Sequence, residues 1–465
     1  MNRLFRSPLG ALLAKPWVDA VGLAGLKHWY FPLSRLWAAA NAAGTDVARF
    51  LDEVAGEVGG PPVRQLPSSG RLDRALMRTA RARDATVAAR AAWEDGLFGP
   101  ARAAEGGDPA RLERQRRLSA TRHLAARGLF YRYLRAARPP LARWQIPSPE
   151  SVRAEFDAAG RDPASLYGAA IDTATVTQSQ PFESGGVRQY WLRAPTPADR
   201  LKGWRGSKIL YARVVEPLGS APQASIPTVI FGGGLCLELD LMTGGIDPDK
   251  RLAELGWRVV NVVSPFHGLR AEPDRYGGEP FIATAPVGTI DLIAGQAIET
   301  ALLIAWCRAR FGGRVALAGI SMTSFVAQQV ASYCHAWPAE ARPDAVLLIS
   351  HSGRIEDVAF GGELSAALGL DKALSAGGWS NDDLLRVSRL IDPADTPAIA
   401  PNRIVSALGA VDRWLPFKDG LAVTQRWKLP EANVFRYAVG HLGMPVRLIR
   451  DPAPFVRLRQ VMDEA

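Results

Sequence analysis

The chain has 465 residues, 48% apolar and 22% charged, with a formal net charge of +10; this is enough apolar material for a large core and excludes a disordered segment. At this length one decorated domain or two domains are expected. Three widely spaced cysteines, Cys236, Cys307 and Cys334, form no Cys-x-x-Cys pair, which argues against a disulfide framework or a zinc site and for small buried side chains in a reducing, cytoplasmic setting.

Taken in chain order, residues 1–14 carry Arg3 and Arg6, but the apolar run from Leu9 to Ala14 is short and meets Lys15 and Pro16 at once. That is too little for a signal-peptide core. No stretch is expected to reach the roughly 20 apolar residues of a membrane-spanning helix. From Pro16 to Ala43, the aromatic residues Trp17, Trp29, Tyr30, Phe31 and Trp37 interleave with Lys27, His28 and Arg35. A helix packed on the main domain is the first reading, and a peripheral anchor at a membrane surface is the second.

Between Arg71 and Arg143 stand 17 arginines and no lysine against 7 acidic residues. Such a basic stretch attracts phosphate-bearing partners, above all an anionic lipid surface. Arginine outnumbers lysine 48 to 8 over the whole chain, so codon bias accounts for part of the excess and a solvated helical face is the simpler reading. No nucleic-acid partner is expected, because no recognised binding signature accompanies the charge. Apolar residues there recur at three- and four-residue steps, predicting two or three amphipathic helices, with loops over Gly56 to Gly70 and Phe98 to Pro109. Residues 1–145 therefore read as a helical, Arg-rich extension.

Residues 146–465 read as an α/β domain with a mostly parallel central sheet and helices on both faces. Val187 to Leu192 and Ile209 to Val215 are leading strands, expected to be antiparallel. Then strand and helix alternate: strands at Thr228 to Phe231, Trp257 to Val263, Arg314 to Ala318, Ala345 to Ser350, Ile404 to Leu408 and Asn433 to Ala438, with helices at Asp249 to Leu255, Ile290 to Phe311 and Phe325 to His335. Residues 353–401 intervene between two strands, with helices at Leu364 to Leu370 and Asp382 to Leu390. A connection that long is usually functional, and a lid over the strand ends is expected.

Four pieces carry chemistry. Gly319-Ile320-Ser321-Met322-Thr323 lies between a strand and a helix, where a sharp turn exposes a serine; Thr323 stands where the pattern has glycine. Gly232-Gly233-Gly234-Leu235 ends an earlier strand and can offer backbone N–H groups to an oxyanion, so Gly233 and Gly234 join Met322 as candidate oxyanion-hole residues. A dinucleotide loop would need a third glycine where Leu237 stands. Asp412 follows the strand ending at Leu408, with Asp392 and Asp395 as competitors placed before it. His441 follows the last strand; His267 and His351 also sit near strand ends but precede Asp412. The order Ser321, Asp412, His441 suits a nucleophile, an orienting acid and a base, a set that requires no metal and no organic cofactor.

These residues resemble the α/β-hydrolase superfamily, over roughly Ile226 to Ala465. Within it, Gly319-Ile320-Ser321-Met322, Val330-Ala331-Ser332, Trp337-Pro338, Ile349-Ser350-His351-Ser352-Gly353, Val411-Asp412-Arg413-Trp414-Leu415-Pro416 and Gly440-His441 look like the group named α/β-hydrolase domain-containing protein 18. The resemblance implies a carboxylic-ester hydrolase with Ser321 as nucleophile, Asp412 as acid and His441 as base, acting on a small-molecule or lipid ester. That group's link to cardiolipin deacylation implies an acylated, anionic lipid as one substrate. An acyltransferase with the same triad, or a catalytically silent binding protein suggested by Thr323, are the alternatives.

Overall fold

The computed structural model describes residues 13, 15–55, 70–99, 108–219, 222–236 and 247–464. The short apolar run near the N-terminus and most of the two expected loops, residues 56–69 and 100–107, lie outside the described residues.

Ten strands form one sheet: β1 (Thr177–Gln178), β2 (Phe182–Ser184), β3 (Val187–Pro195), β4 (Ile209–Pro217), β5 (Thr228–Gly232), β6 (Arg258–Val262), β7 (Val315–Ile320), β8 (Ala345–Ile349), β9 (Ile404–Gly409) and β10 (Val434–Tyr437). Their spatial order is β1-β3-β4-β6-β5-β7-β8-β9-β10, with β2 pairing β3. The strands from β5 onward pair with one another in parallel, whereas β4 pairs antiparallel with both β3 and β6. The order reverses at β5, which lies between β6 and β7. Open α/β sheets build their sites at the carboxyl ends of the strands flanking such a switch point.

Alternation along the central strands divides the core in two. Ile230, Val260, Leu317, Val346 and Leu348 face one helical layer, and Val229, Val259, Ala316, Leu347 and Val405 face the other. The first layer contains the helix Val287–Phe311, closed by Gly312 at φ 71°. Contrary to the expectation that no segment is long and apolar enough to cross a membrane, this 25-residue helix is, and its most apolar 18 residues, with a mean hydropathy of 1.5, are wholly buried in the fold. Asp291, Gln296 and Glu299 break its apolar run in the sequence, yet each is buried.

Other departures have local causes. The helix expected over Leu364 to Leu370 divides into Glu363–Leu368 and Leu370–Ala376 because Gly369 adopts φ 81° between them. The strand before Ser321 runs to Ile320 and the next helix starts at Met322, so the turn is tighter than the sequence pattern predicts. β1 and β2 are too short to show a period and owe their form to pairing with β3.

The N-terminal segment is helical over Trp17–Gly25, Phe31–Ala43, Val47–Ala55, Gly70–Phe98 and Pro109–Ala125. Part of it forms a cluster of its own around Leu36, Phe50, Leu76 and Phe130, and part packs on the sheet domain. Trp93 packs edge-on against Trp191 of β3, with ring centroids 5.3 Å apart, and Arg35 pairs with Glu279 at 3.1 Å, both buried.

The most enclosed ion pair joins Arg270, beyond β6, to Glu299 of the long helix at 2.7 Å, with neither side chain exposed. Glu299 also accepts from Thr196 Oγ1 at 2.7 Å. Glu299→Gln leaves the buried guanidinium without a counter-charge and is expected to cost about 3–5 kcal/mol, read as a lower urea midpoint. A loss under about 1 kcal/mol would show that water compensates Arg270.

Candidate active site

Ser321 sits between β7 and the helix Met322–Tyr333 at φ 56°, ψ −120°, a region that costs an ordinary residue about 1–3 kcal/mol. Its surroundings impose the turn. The Ser321 N–H donates to Ile349 O of β8 at 3.0 Å, and Ser324 Oγ donates to Ser321 O at 2.5 Å. Strand and helix approach so closely that a Cβ on Gly319 would stand 2.2 Å from Thr323 O.

Thr323 occupies the position where glycine is expected, and the structure shows why a larger residue fits. A Cβ added to Gly232 of neighbouring β5 would lie 2.8 Å from Thr323 Cβ. The space that glycine would leave at position 323 is supplied by glycine at 232 instead. Thr323 Oγ1 then donates to Gly232 O at 2.6 Å and accepts from the Ile320 N–H at 3.1 Å. The threonine thus ties the serine turn to the end of β5.

The three residues singled out in the sequence meet at this turn. Ser321 Oγ lies 2.8 Å from His441 Nε2, and His441 Nδ1 lies 2.7 Å from Asp412 Oδ2. Asp412 Oδ1 accepts from the N–H groups of Trp414 and Leu415 at 2.9 and 3.1 Å, which leaves Oδ2 directed at the imidazole. With Asp412 ionised, the histidine proton sits on Nδ1 and the Nε2 lone pair faces the serine hydroxyl. Trp414 stacks on the imidazole with ring centroids 5.0 Å apart and planes 20° from parallel, restricting its rotation.

Asp19 completes the arrangement from the far end of the chain. It lies in the N-terminal helix Trp17–Gly25, is buried, and accepts from the backbone N–H groups of His441 and Leu442 at 2.5 and 2.9 Å. Gly440 makes room for it, since a Cβ there would meet the Asp19 carboxylate at 2.2 Å. Burial raises the Asp19 pKa against those two N–H groups, which lower it, and repulsion from Asp412 adds to the rise. Burial alone would push the His441 pKa down; attraction to Asp412, reinforced by Asp19, prevails and holds it above the ordinary 6.5. Nothing in the sequence near Asp19 points to this role.

The competing residues are elsewhere. His351 bonds Ser406 Oγ at 2.8 Å in the core, and burial pushes its pKa to about 3. His267 accepts from the Cys236 N–H at 3.1 Å and donates to Pro265 O at 2.8 Å; burial lowers its pKa to about 4, against the Pro265 bond. Neutral His267 therefore anchors the loop after β5. Asp392 accepts from the Ile355 N–H at 2.8 Å, and Asp395 is exposed beside Arg426. Cys307 and Cys334 are buried, and Cys236 is half-buried.

Met322 is the first residue of its helix, so its N–H has no intrahelical acceptor. Gly233 and Gly234 follow β5, whose last residue, Gly232, pairs with Gly319 of β7. Gly233 lines a cavity of about 180 Å³ on the other side of the sheet, with Phe231, Ile320 and Phe455. Leu235, two residues on, lines the cavity that contains Ser321 and His441.

That second cavity has a volume of about 100 Å³ and is almost wholly apolar. Much of its wall comes from the long insertion: Ile355, Val358, Leu368, Leu374, Leu384 and Ile391 face Phe281, Phe325 and Trp414 across it. Among the described residues, no group of three or more His, Cys, Asp or Glu side chains is placed to hold a metal ion.

The serine turn at the switch point, the acid after β9 and the histidine after β10 complete the topology. The fold is the α/β-hydrolase fold. No family model and no curated protein matches the chain. Among solved structures it is similar to an acetyl xylan esterase from Paenibacillus sp. R4, with 14% identity over 69% of this chain and 96% of that one, at a TM-score of 0.46. It is also similar to a hyperthermophilic esterase from the archaeon Pyrobaculum calidifontis, at 16% identity, 68% and 91% coverage and a TM-score of 0.36. A lipase in an open form matches at 15% identity, 55% and 95% coverage and a TM-score of 0.38.

Because Asp19 acts on His441 through charge and through the backbone, its removal has two readouts. Asp19→Asn is expected to lower the His441 pKa, followed by the imidazole Cε1–H resonance; an unmoved titration would remove the electrostatic role. Asp19→Ala is expected to cost about 1.5–3 kcal/mol for the lost bonds to a charged acceptor.

Proposed function

We propose that the chain is a carboxylic-ester hydrolase that works through an acyl-enzyme. The observation that carries this reading is the continuous chain of contacts from Asp412 through His441 to Ser321, at 2.7 and 2.8 Å, opening into an apolar cavity. His441 Nε2 takes the proton from Ser321 Oγ as the oxygen attacks the ester carbonyl, and Asp412 stabilises the imidazolium. The N–H of Met322, together with the loop of Gly233, Gly234 and Leu235, receives the oxyanion; one such donor is worth about 100- to 1000-fold in rate. His441 returns the proton to the leaving alcohol and then activates water to release the acid.

The raised pKa of His441, held up by Asp412 against burial, fits a group that accepts the Ser321 proton. The apolar wall fits an acyl chain. Its volume of about 100 Å³ is near that of a cavity of about 150 Å³ that holds benzene, so a short acyl group fits without rearrangement. A long-chain acylated lipid, the substrate suggested by the sequence resemblance to the α/β-hydrolase domain-containing protein 18 group, requires the insertion to move outward. Such a substrate would be met by a cytoplasmic enzyme at a membrane surface.

Two measurements test this. A fluorophosphonate probe is expected to label Ser321, and Ser321→Ala to reduce p-nitrophenyl butyrate turnover at least about 10,000-fold; unchanged turnover would remove the assignment. Butyrate is expected to be cleaved at least about tenfold faster than palmitate, and equal rates would contradict the cavity's size.

A further inference from the structure

Several arginines of the N-terminal segment are engaged within the fold. Glu113 pairs with Arg116 and Arg117, Arg90 pairs with Glu94, Arg83 pairs with Asp84, and Arg143 lies near Asp274. Arg127 stacks over Tyr30 and Trp37 at 5.0 Å from each ring centroid.

Four are different. Arg71, Arg74 and Arg78 recur at helical spacing on the helix Gly70–Phe98, and Arg132 comes from the 3-10 turn Ala126–Tyr133. The two elements meet because Leu72, Ala75 and Leu76 share a core with Phe130 and Tyr133. The four arginines line one open cavity of about 590 Å³, Arg74 with its Nε donating to Gly70 O at 2.8 Å. Among the described residues no carboxylate lines it, and none of the four arginines forms an ion pair. Arg71 also stands in the first turn of its helix, where the dipole is positive and cations are unfavourable.

Tyr133, 3% exposed, lines the wall with Leu129. A single anion in the cavity would relieve the repulsion among the arginines.

We propose that this cavity binds a phosphoryl group, held by Arg71, Arg74, Arg78 and Arg132. Guanidinium forks match the several oxygens of a phosphate, whereas a carboxylate saturates two forks at most. The volume leaves room for the group that carries the phosphate, either a lipid headgroup or a soluble phosphate ester. The site is separate from the Ser321 cavity, and the inference does not depend on ester hydrolysis.

The test uses the full chain at physiological salt. Pyrophosphate is titrated calorimetrically, and vesicles of phosphatidylcholine with and without phosphatidic acid are used for co-sedimentation. Arg74→Gln with Arg78→Gln is expected to weaken binding at least about tenfold, with an unchanged melting temperature. Arg111→Gln with Arg114→Gln removes the same charge from exposed positions off the cavity and is expected to leave binding intact. Pyrophosphate binding that shows this pattern identifies a soluble phosphate as ligand; the same pattern confined to phosphatidic acid vesicles identifies a headgroup. Equal losses in both arginine pairs would reduce the effect to diffuse charge and overturn the site. No binding of either probe to the unmodified chain would overturn it too.

Discussion

Ser321 is held at a positive φ that an ordinary side chain avoids, and much of the central architecture serves to keep it there. β8 receives its N–H, β7 and the following helix close on Gly319, and Thr323 bonds across to Gly232 at the end of β5. Each contact needs parallel strands in register, since Gly232 stands opposite Gly319 only in the observed pairing of β5 with β7. A one-residue slip would invert the alternation that divides the two core faces. The turn is therefore fixed by the same packing that stabilises the sheet.

The histidine loop is tied to the end of β9 by the Val411 N–H donating to Val439 O, and it gains further support from the N-terminal segment. Asp19 binds the backbone of His441 and Leu442, and a Cβ on Gly22 would stand 2.1 Å from Leu442 Cδ1. Arg35 with Glu279 and Trp93 with Trp191 attach the same segment further along. The boundary near residue 145 thus separates two sequence textures, yet packing crosses it. Ser321, Asp412 and His441 come from the sheet domain, while the position and charge state of His441 depend on a helix about 420 residues earlier.

The parts legible in the sequence were those written in local pattern. Ser321, Asp412 and His441 each follow an apolar run short enough to be a buried strand, so their convergence could be argued from the parallel order alone. Asp19 carries no such mark, because a lone acid in an aromatic helix reads as a solvated side chain until its partner is known. Thr323 looked like a defect for a related reason: the compensating glycine is in another strand, and only the pairing of β5 with β7 brings them together. The walls of the cavity were hidden in the insertion, where Leu368, Leu374 and Ile391 show the spacing of ordinary core helices.

The arginine-rich region shows how far composition can be taken. An excess of ten positive charges suggests one basic surface, but the folded chain sorts the residues by environment. Glu113 neutralises two arginines at once while nearly buried, and Arg116 lies 4.9 and 5.0 Å from the rings of Trp93 and Trp191, where a guanidinium acts as a flat packing element as much as a charge. Those residues hold the extension against β3 and β4. Where two elements place Arg71, Arg74, Arg78 and Arg132 around one cavity without a described carboxylate in its lining, the excess becomes a feature with direction.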